Sequence, residues 1–341
     1  MKAAVLETRG KDGLRIGGFD DPAPKPGEAV MRVKAGGINR VDLYMRDIGK
    51  GITHELPLVL GVDGAGEIVE APAGSPLKPG DEVILYPMAY CGLCPACGRG
   101  DQPNCVRFDI AGETRHGTFA EFVAMPDRCF VRKPEALSWS AAATLPVAYL
   151  TAWRMMFGKQ PLASAETVLI VGIGGGVSTA CLQLAKMIGA RAIVTSSSAE
   201  KLARARELGA DVLIDYREEK VPARVMEATG GAGVDMAIDS VGEASWGDSL
   251  RSLRAGGRIV TCGATTGGHP SADIQRLFGR QIAVYGSTLG SVEEFRQLVD
   301  VTARGLIEPL IDRTYALDDI ALAFDRMERG EQQGKLVVTI P

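Results

Sequence analysis

The sequence predicts an α/β protein of two domains, one mostly β and one built on a doubly wound parallel sheet. To about residue 134, short strand-like runs are broken by Gly and Pro. From about residue 138, apolar runs of strand length alternate with segments of helical spacing, as in parallel strands joined by crossover helices. The chain of 341 residues is also longer than one hydrophobic core usually serves.

The mostly β domain is predicted to comprise residues 1–134 and 296–341. Its clearest strand-like runs are residues 28–35, 65–70, 82–86 and 119–124. Residues 335–340 form another apolar, partly β-branched run, and we expect it to rejoin this domain as its last strand.

The second domain, residues 135–295, is predicted to contain a sheet of six strands. These strands are residues 167–171, 192–195, 212–214, 234–238, 258–262 and 282–286. Helices are expected at residues 138–157, 174–188 and 199–208, and Gly209 ends the last of them. This alternation is typical of a doubly wound sheet, in which ligands bind at the carboxyl ends of the strands.

Composition and charge narrow the classes of partner. The chain has 38 Lys and Arg against 42 Asp and Glu, a formal net charge of −4. A mildly acidic chain without a basic stripe has no general attraction for nucleic acid or an anionic membrane. Charge interrupts the N-terminal apolar residues too early for a signal peptide, and no segment approaches about 18 consecutive apolar residues. We therefore expect a cytoplasmic protein.

A glycine cluster follows the first strand of the second domain and precedes a helix. Without side chains, backbone N–H groups can approach a pyrophosphate at the positive end of the helix dipole. The alternative is a tight turn needed only for packing, but the strand–loop–helix context favours a dinucleotide. We assign this role to Gly172, Gly174, Gly175, Gly176 and Val177.

The end of the second strand favours NADP(H) over NAD(H). An NAD enzyme usually has an acidic residue there to bind the ribose 2′-hydroxyl. Here the hydroxyl groups of Ser196 and Ser197, with Lys201 one helical turn later, suit a 2′-phosphate, over which Tyr216 and Arg217 can close. The alternative is that the serines cap the next helix and the lysine is solvated.

Four of the seven cysteines lie close together in a loop rich in Gly and Pro. Four thiolates can fill a tetrahedral zinc shell and leave no position for substrate, so we expect one structural Zn²⁺ per chain. The alternative is four reduced thiols or a pair of disulfides. The zinc ligands are assigned to Cys91, Cys94, Cys97 and Cys105. The other three, Cys129, Cys181 and Cys262, are expected to be buried small apolar residues.

Taken together, these segments resemble the medium-chain dehydrogenase/reductase superfamily along the whole chain. The first domain looks like its GroES-like catalytic domain and the second like its Rossmann domain. The tail at residues 334–338 resembles its usual last strand, where we assign Lys335 to cofactor binding. The cysteine lobe is similar to the structural zinc site of the alcohol dehydrogenase branch.

The resemblance also locates a second, catalytic zinc site in the alcohol dehydrogenases of this superfamily. In this chain the three ligand positions are occupied by Asn39, Val62 and Val147. Valine has no atom that binds a metal, so the resemblance implies that this chain has no catalytic zinc.

The quinone oxidoreductase branch shares an Asn-x-x-Asp-x-Tyr-x-Arg pattern, matched here by Asn39, Asp42, Tyr44 and Arg46. The resemblance implies NADPH-dependent reduction of a quinone or other α,β-unsaturated carbonyl by hydride transfer. The enolate oxygen then needs hydrogen-bond donors, such as the Asn39 amide and the Tyr44 hydroxyl. Alternatively, Asn39 is a turn residue, Tyr44 is a core aromatic, and water supplies the proton.

Further candidates line the expected nicotinamide site. They are Thr151 at the entry to the second domain, with Cys262 and Gly263 after its fifth strand. The three histidines lie in loop-like stretches and are assigned to the surface or to local structure: His54, His116 and His269.

Two other functions remain open at this stage. One is a zinc-containing alcohol dehydrogenase, which the cysteine lobe favours. The other is a non-enzymatic structural or RNA-binding role, as some quinone oxidoreductase relatives have, although the acidic balance argues against RNA. The expected partners are a small carbonyl or quinone substrate and a second copy of the chain. That copy would pair through an edge strand at residues 282–287 to give a homodimer, or a tetramer built from it.

Overall fold

The computed structural model describes residues 1–49 and 55–341 and divides the chain into two compact units. The first unit contains Met1–Leu150 and Gly290–Pro341, and the second contains Thr151–Leu289. None of the described helices has both the length and the apolar character that crossing a lipid bilayer requires.

The regular elements are numbered here in chain order. The strands are β1 (Lys2–Leu6), β2 (Leu14–Gly18), β3 (Glu28–Ile38), β4 (Leu58–Val59), β5 (Ala65–Glu70), β6 (Glu82–Leu85), β7 (Met88–Tyr90), β8 (Phe108–Ile110), β9 (Phe122–Pro126), β10 (Phe130–Arg132), β11 (Thr167–Ile170), β12 (Arg191–Ser196), β13 (Val212–Asp215), β14 (Val234–Asp239), β15 (Leu253–Thr261), β16 (Ala283–Gly286), β17 (Ile311–Ala316) and β18 (Lys335–Thr339). The helices are α1 (Arg40–Asp47), α2 (Pro95–Gly98), α3 (Trp139–Ala142), α4 (Leu150–Trp153), α5 (Gly176–Met187), α6 (Ala199–Glu207), α7 (Val221–Ala228), α8 (Glu243–Ser252), α9 (Ile274–Gly279), α10 (Val292–Ala303) and α11 (Ile320–Glu328). Short 3₁₀ turns lie at Lys11–Gly13, Gln102–Asn104, Asp127–Cys129 and Leu317–Asp319, and π-helical turns at Leu145–Tyr149 and Arg154–Gly158.

In the first unit, the long strand β3 is the centre of the main sheet. The described strands of this sheet run in the order β10-β6-β5-β3-β18-β17, and β9 also pairs with β3. The C-terminal strand β18 lies antiparallel to β3, with Leu336 opposite Ile38 and Val337 opposite Gly37. The end of the chain thus pairs with the first unit, and this pairing places Lys335 beside the end of β3.

The second unit is a parallel sheet of six strands in the order β13-β12-β11-β14-β15-β16. All five neighbouring pairs are parallel. The strand order reverses at β11, whose neighbours β12 and β14 follow it in the chain, and such a switch point opens a crevice at the carboxyl ends of the strands. The predicted α/β class, with a mostly β domain and a Rossmann-like parallel sheet in the same chain, is confirmed.

The first unit is longer than the predicted first domain at both boundaries. They lie at 150/151 and 289/290, whereas the prediction placed them at 134/135 and 295/296. Two buried tyrosines account for the difference within the first unit. The hydroxyl of Tyr149 accepts a hydrogen bond from the Leu310 N–H at 2.9 Å, and that of Tyr86 donates to the carbonyl of Gly290 at 2.7 Å. The single helix predicted at residues 138–157 is instead divided by π-helical turns, the first of which contains Pro146, a residue without a backbone N–H.

Candidate functional site

The glycine loop of the second unit has the geometry expected for binding a pyrophosphate. It connects β11 to α5, which begins at Gly176 with Val177 in its first turn. Gly172 and Gly174 have φ values of +70° and +112°, which residues with a side chain rarely adopt. A Cβ on Gly174 would also lie 2.5 Å from Cδ of Lys201. Glycine is therefore required here, and the first N–H groups of α5 have no acceptor within the helix.

Hydroxyl groups hold the loop in this conformation. The Ser178 hydroxyl donates to the carbonyls of Gly172 and Gly175 at 3.0 and 3.1 Å. The Thr195 hydroxyl accepts the N–H of Gly172 at 3.1 Å. Ser178 thus links α5 to the glycine loop. Thr195, whose role the sequence reasoning missed, fastens the same loop to β12.

The residues predicted to recognise a 2′-phosphate lie at the end of β12 and in the segments that follow β12 and β13. Ser196 is buried, and its hydroxyl accepts the N–H of Ser198 at 3.1 Å, while Ser197 is partly buried. The Ser198 hydroxyl caps α6 by accepting the Lys201 N–H at 3.3 Å, so helix capping applies to this serine. No acidic side chain follows β12 at Ser196–Ser198.

Arg217, which follows β13, forms an ion pair with Asp215, the last residue of that strand. The Arg217 guanidinium contacts the Asp215 carboxylate at 2.8 Å and lowers the pKa of that carboxyl group. The Tyr216 side chain is 51% exposed. Arg217 is therefore held beside the end of β12, since Asp215 pairs with Ser196 in the sheet.

A buried carboxylate organises the loop after β14. Asp239 accepts the N–H groups of Val241 and Gly242 at 2.9 and 3.0 Å. It also accepts the hydroxyls of Ser245 and Ser249 at 2.7 and 2.6 Å. Val241, whose N–H is bound by Asp239, lies against the glycine loop: a Cβ built on Gly172 would be 3.2 Å from Val241 Cγ2.

The predicted candidates Cys262 and Gly263 follow β15 at the same edge of the sheet. The Thr261 hydroxyl donates to the Gly263 carbonyl at 3.2 Å. Burial of the thiol raises the pKa of Cys262 to about 12, so the thiol stays neutral. Cys129 and Cys181 are buried as expected, whereas the residue Cys262 as a whole is partly exposed.

The four-cysteine lobe of the first unit fits a tetrahedral zinc ion. Zn–S bonds of about 2.3 Å require sulfur atoms about 3.8 Å apart. The Sγ···Sγ distances are 3.6 Å for Cys94–Cys97 and Cys91–Cys105, 3.9 Å for Cys91–Cys97 and 4.0 Å for Cys94–Cys105. In the part of the chain that the structure describes, these side chains form the one such group of His, Cys, Asp or Glu.

Backbone N–H groups point at two of these sulfurs, as they do around metal-bound thiolates. Cys91 Sγ accepts from the N–H groups of Leu93 and Cys94, which lower the pKa of this thiol to about 6. Cys105 Sγ accepts from those of Cys91 and Arg107 at 3.3 and 3.4 Å. These N–H groups favour a thiolate at Cys91, whereas burial and the neighbouring sulfurs raise the pKa of the Cys97 thiol to about 12.

A second polar cluster of the first unit is a buried charge network that the sequence reasoning missed. Lys335 Nζ lies 2.8 Å from Oδ2 of Asp63, 2.6 Å from Oδ1 of Asn39 and 2.9 Å from the carbonyl of Ile38. Lys335 is 2% exposed and Asp63 is fully buried. Burial raises the pKa of Asp63, while the Lys335 ammonium and the N–H groups of Asn39 and Val147 oppose the rise.

Two of the three positions that the resemblance assigns to catalytic zinc ligands contact Asp63, and the third is its neighbour in the chain. The Asn39 amide donates to Asp63 Oδ2 at 2.8 Å and to the Gly37 carbonyl at 3.3 Å. The Val147 N–H donates to Asp63 Oδ1 at 2.8 Å, and Val62 precedes Asp63 in the chain. These residues do not fit a catalytic zinc, because the two valines offer no ligand atom and the Asn39 amide oxygen is engaged by the Lys335 ammonium.

Comparison with known proteins places these features in a family. Residues 25–135 match the alcohol dehydrogenase GroES-like domain, and residues 176–304 match the zinc-binding dehydrogenase domain. An NAD-dependent alcohol dehydrogenase of Sulfolobus acidocaldarius is 31% identical, and the match covers 100% of both chains. The chain belongs to the medium-chain dehydrogenase/reductase superfamily. It is an oxidoreductase of that superfamily.

Other superfamily members similar to this chain have different activities. The crystal structure of an NAD-dependent alcohol dehydrogenase has a TM-score of 0.95 and 34% identity, covering 100% of both chains. An acryloyl-coenzyme A reductase of Metallosphaera sedula is 29% identical over 99% of this chain and 100% of its own. A crotonyl-CoA carboxylase/reductase in complex with NADP has a TM-score of 0.93 and 25% identity, covering 100% and 95%.

Three residues of the Asn-x-x-Asp-x-Tyr-x-Arg pattern lie on α1, and their described contacts are within the first unit. The Asp42 carboxylate accepts the Asn39 N–H at 2.7 Å, and burial raises the pKa of Asp42 to about 8. Arg46 pairs with Asp47 at 2.8 Å and with Glu328. Tyr44 is partly buried against the core.

The ammonium of Lys335, which the sequence assigns to cofactor binding, has three acceptors in the first unit. Its role toward the cofactor stays a prediction. Both amide hydrogens of Asn39 are engaged as well. Asp63 had a signal in the sequence, an acidic residue beside a replaced metal ligand, but its partner is 272 residues away.

The remaining candidates are placed as follows. Thr151 is buried in α4 and is the first residue of the second unit. His116 accepts the Val59 N–H at 3.3 Å and packs its ring on Phe19, which is a local structural role. His269 donates its N–H to Glu243 at 2.8 Å, and His54 lies outside the described residues.

Proposed function

We propose that this oxidoreductase uses NADPH to reduce a carbon–carbon double bond conjugated to a carbonyl group, without a catalytic zinc. One observation carries the proposal. The positions that the resemblance assigns to the three zinc ligands are Asn39, Val62 and Val147, and the Asn39 amide oxygen is engaged by the ammonium of Lys335 at 2.6 Å. A site of this kind provides no Lewis acid to activate a simple alcohol as an alkoxide.

An activated double bond makes smaller demands on the protein. Hydride adds to the β-carbon, negative charge moves to the carbonyl oxygen, and hydrogen-bond donors stabilise the resulting enolate. The Asn39 amide donates within the first unit, so we propose that Asn39 shapes the site. Tyr44, on the helix that follows it, is proposed as the donor to the substrate oxygen or as the proton source, with water as the alternative source.

The preference for NADPH is supported by the end of β12. Ser196 stands where an acidic residue would bind the ribose 2′-hydroxyl, and Lys201 lies over the glycine loop. Lys201, Tyr216 and Arg217 are proposed to contact the 2′-phosphate. The crotonyl-CoA carboxylase/reductase similar to this chain was crystallised with NADP, and the alcohol dehydrogenase of S. acidocaldarius is NAD-dependent.

An enoyl thioester is the acceptor that we favour over a quinone or a simple enone. Two of the similar proteins, the acryloyl-coenzyme A reductase and the crotonyl-CoA carboxylase/reductase, are named for such substrates. The second candidate function is a zinc-containing alcohol dehydrogenase, which is favoured by the names of several similar proteins. A catalytic zinc of such an enzyme would find no side-chain ligand at Val62 or Val147 of this chain.

The deciding experiment measures NADPH and NADH oxidation by the purified protein with acryloyl-CoA, crotonyl-CoA, a quinone, an enone and an aldehyde. Zinc is determined in the same sample. We expect turnover with NADPH and an enoyl thioester at one zinc per chain. Activity confined to an alcohol and aldehyde pair, with two zinc ions per chain, would support the alcohol dehydrogenase instead. Failure with every acceptor favours the non-enzymatic alternative.

We also propose that the chain forms a homodimer. β16 is the last strand of the six-stranded sheet, and Val284 on it is 45% exposed. An edge strand with an exposed apolar residue is suited to pairing with a second copy. Sedimentation showing a monomer at micromolar concentration would contradict this proposal.

A further inference from the structure

The loop after β15 is fastened to the turn after β14 at the carboxyl edge of the second unit's sheet. The N–H and the hydroxyl of Thr266 both donate to the carbonyl of Val241, each at 2.8 Å. The same hydroxyl accepts the N–H of Ala244, in the first turn of α8, at 3.1 Å. These three hydrogen bonds, the Thr266 link, join two neighbouring connections of the sheet.

Contacts on both sides of the Thr266 link hold the same two segments together. The Glu243 N–H donates to the Gly267 carbonyl at 3.1 Å, and the Glu243 carboxylate accepts the N–H of His269 at 2.8 Å. Gly242 has a φ of +91°, and a Cβ there would lie 2.4 Å from the carbonyl oxygen of Gly267. The two segments therefore pack backbone against backbone, which requires glycine at position 242.

Val241 is the residue on which these contacts converge. The Asp239 carboxylate accepts its N–H at 2.9 Å, and Thr266 supplies two donors to its carbonyl. Its side chain lies against the glycine loop, since a Cβ on Gly172 would be 3.2 Å from Val241 Cγ2. The N–H, the carbonyl and the side chain of Val241 thus each have a fixed neighbour. A displacement of the Val241 main chain would shift its side chain relative to Gly172.

The topology of the sheet places Val241 at the crevice and Thr266 behind it. The strand order reverses between β11 and β14, so the crevice lies between the loops that follow these two strands. The glycine loop is one wall of this crevice, and the turn that contains Val241 is the other. Strand β15 pairs with β14 on the side away from β11, so its loop supports the second wall from outside the crevice.

We propose that Thr266 is a positioning residue of the dinucleotide crevice, which acts through Val241 by holding the turn after β14 against the glycine loop. The inference rests on the proposed function only in taking the bound molecule to be a nicotinamide dinucleotide. NADPH and NADH share the pyrophosphate that the glycine loop is proposed to bind. Loss of the Thr266 link should therefore weaken the binding of both cofactors by the same factor.

The test removes the hydroxyl and keeps the size of the side chain. Thr266 is exposed, so Thr266→Val leaves the apolar core unchanged. We expect the Kd of NADPH and that of NADH each to rise about 3- to 10-fold, the range for the loss of one or two hydrogen bonds, with their ratio unchanged. Fluorescence titration measures both constants. Thr266→Ser keeps the hydroxyl and should restore both to within about twofold of wild type. Wild-type Kd values in Thr266→Val would overturn the proposal.

A matched control is available in the same unit. The Thr229 hydroxyl donates to the Val225 carbonyl at 2.8 Å and accepts the Gly233 N–H at 2.9 Å, but it lies before β14, at the opposite edge of the sheet. Thr229→Val therefore removes the same kinds of hydrogen bond away from the crevice. It should lower Tm and leave both Kd values unchanged. An equal rise of the Kd values in Thr229→Val would overturn the positioning role, because general destabilisation would then explain the effect.

A double variant tests whether Thr266 acts through Val241. Val241→Ala removes the methyl groups that lie against Gly172, and we expect it to raise both Kd values as well. Adding Thr266→Val to Val241→Ala should then change them by no more than about twofold, since two changes on one route do not act independently. Full multiplication of the two single effects would overturn the route through Val241.

The two proposals fail separately. If the wild-type protein reduces none of the acceptors, the proposed function fails, while the Kd comparison still decides the role of Thr266. If the wild type reduces an enoyl thioester and Thr266→Val binds both cofactors normally, the role of Thr266 is overturned and the proposed function stands. A wild-type protein that binds neither cofactor would overturn the inference about Thr266 as well.

Discussion

The backbone N–H of Val147 donates a hydrogen bond to the carboxylate of Asp63 at 2.8 Å across 84 residues of chain. Val147 contributes its main chain to the site, so this contact does not depend on which side chain the position carries. The position thus takes part in holding a carboxylate with its own counter-cation.

Removing the negative partner of the buried pair should destabilise the first unit strongly. Asp63→Asn leaves the Lys335 ammonium buried without a counter-charge, and we expect the free energy of unfolding to fall by about 3–5 kcal/mol. Urea denaturation measures it. The double variant Asp63→Asn with Lys335→Met removes both charges and should recover most of the loss. A double variant as unstable as the sum of the single variants would contradict a coupled pair.

The close approach of β3 to the carboxylate predicts that Gly37 tolerates no side chain. In Gly37→Ala the new Cβ would lie 2.6 Å from both Asp63 Oδ2 and the Ala143 carbonyl. We expect a loss of about 1–3 kcal/mol in the free energy of unfolding, the usual cost of overpacking. Gly18→Ala is the matched control, since a Cβ there meets nothing within 4 Å. Equal stability of the two variants would count against the packing described.

Asp42 should make stability fall as pH rises. Burial raises its pKa from 3.8 to about 8 in the folded protein, so between these values the folded state binds a proton that the unfolded state has lost. Stability then decreases with rising pH by up to about 1.4 kcal/mol per pH unit. Asp42→Asn cannot titrate, so its stability relative to the wild type should increase from pH 5 to pH 8. Denaturation curves of both proteins across that range test this, and a constant difference would exclude the buried titration.

Zinc in the cysteine lobe should be needed for stability and not for hydride transfer itself. We expect one zinc per chain, loss of zinc in Cys94→Ser, and a lower Tm for the zinc-free protein, because the metal closes a lobe with few apolar residues. Elemental analysis and thermal denaturation provide the measurements. Cys262→Ser, which changes a cysteine outside the lobe, should retain its zinc. Two zinc ions per chain in the wild type would contradict the assignment.

Cofactor choice should depend on Ser196. In Ser196→Asp a carboxylate repels a 2′-phosphate and can bind a ribose 2′-hydroxyl, so we expect the NADPH Kd to rise at least about 10-fold while NADH binding improves. Fluorescence titration with each cofactor measures both constants. Ser196→Ala adds no charge and should change the ratio of the two constants much less. An unchanged ratio in Ser196→Asp would remove Ser196 from the 2′-phosphate site.

Much of the fold was accessible from the sequence because it depends on local patterns. The six strands of the second unit are short apolar runs, each followed by a turn or helix signal, and the observed strands overlap all six predicted ranges. The helix predicted over residues 138–157 was less accurate, since the π-helical turns around Pro146 depend on packing that apolar spacing does not report.

The candidate sites also differ in whether their residues are close together or far apart in the sequence. The glycine loop and the four cysteines are continuous in sequence, and short spacing is enough to bring their groups together. The network of Asn39, Asp63 and Lys335 is assembled by strand pairing between chain segments that lie up to 297 residues apart.

By itself, the sequence determined the two-domain α/β class, the glycine loop and the cysteine lobe, because each depends on residues that are close together in the chain. Only the tertiary structure decided that Lys335 neutralises Asp63 and holds Asn39. The physical reason is that a buried carboxylate requires a counter-charge, and only the folded sheet brings the two charges within 2.8 Å of each other.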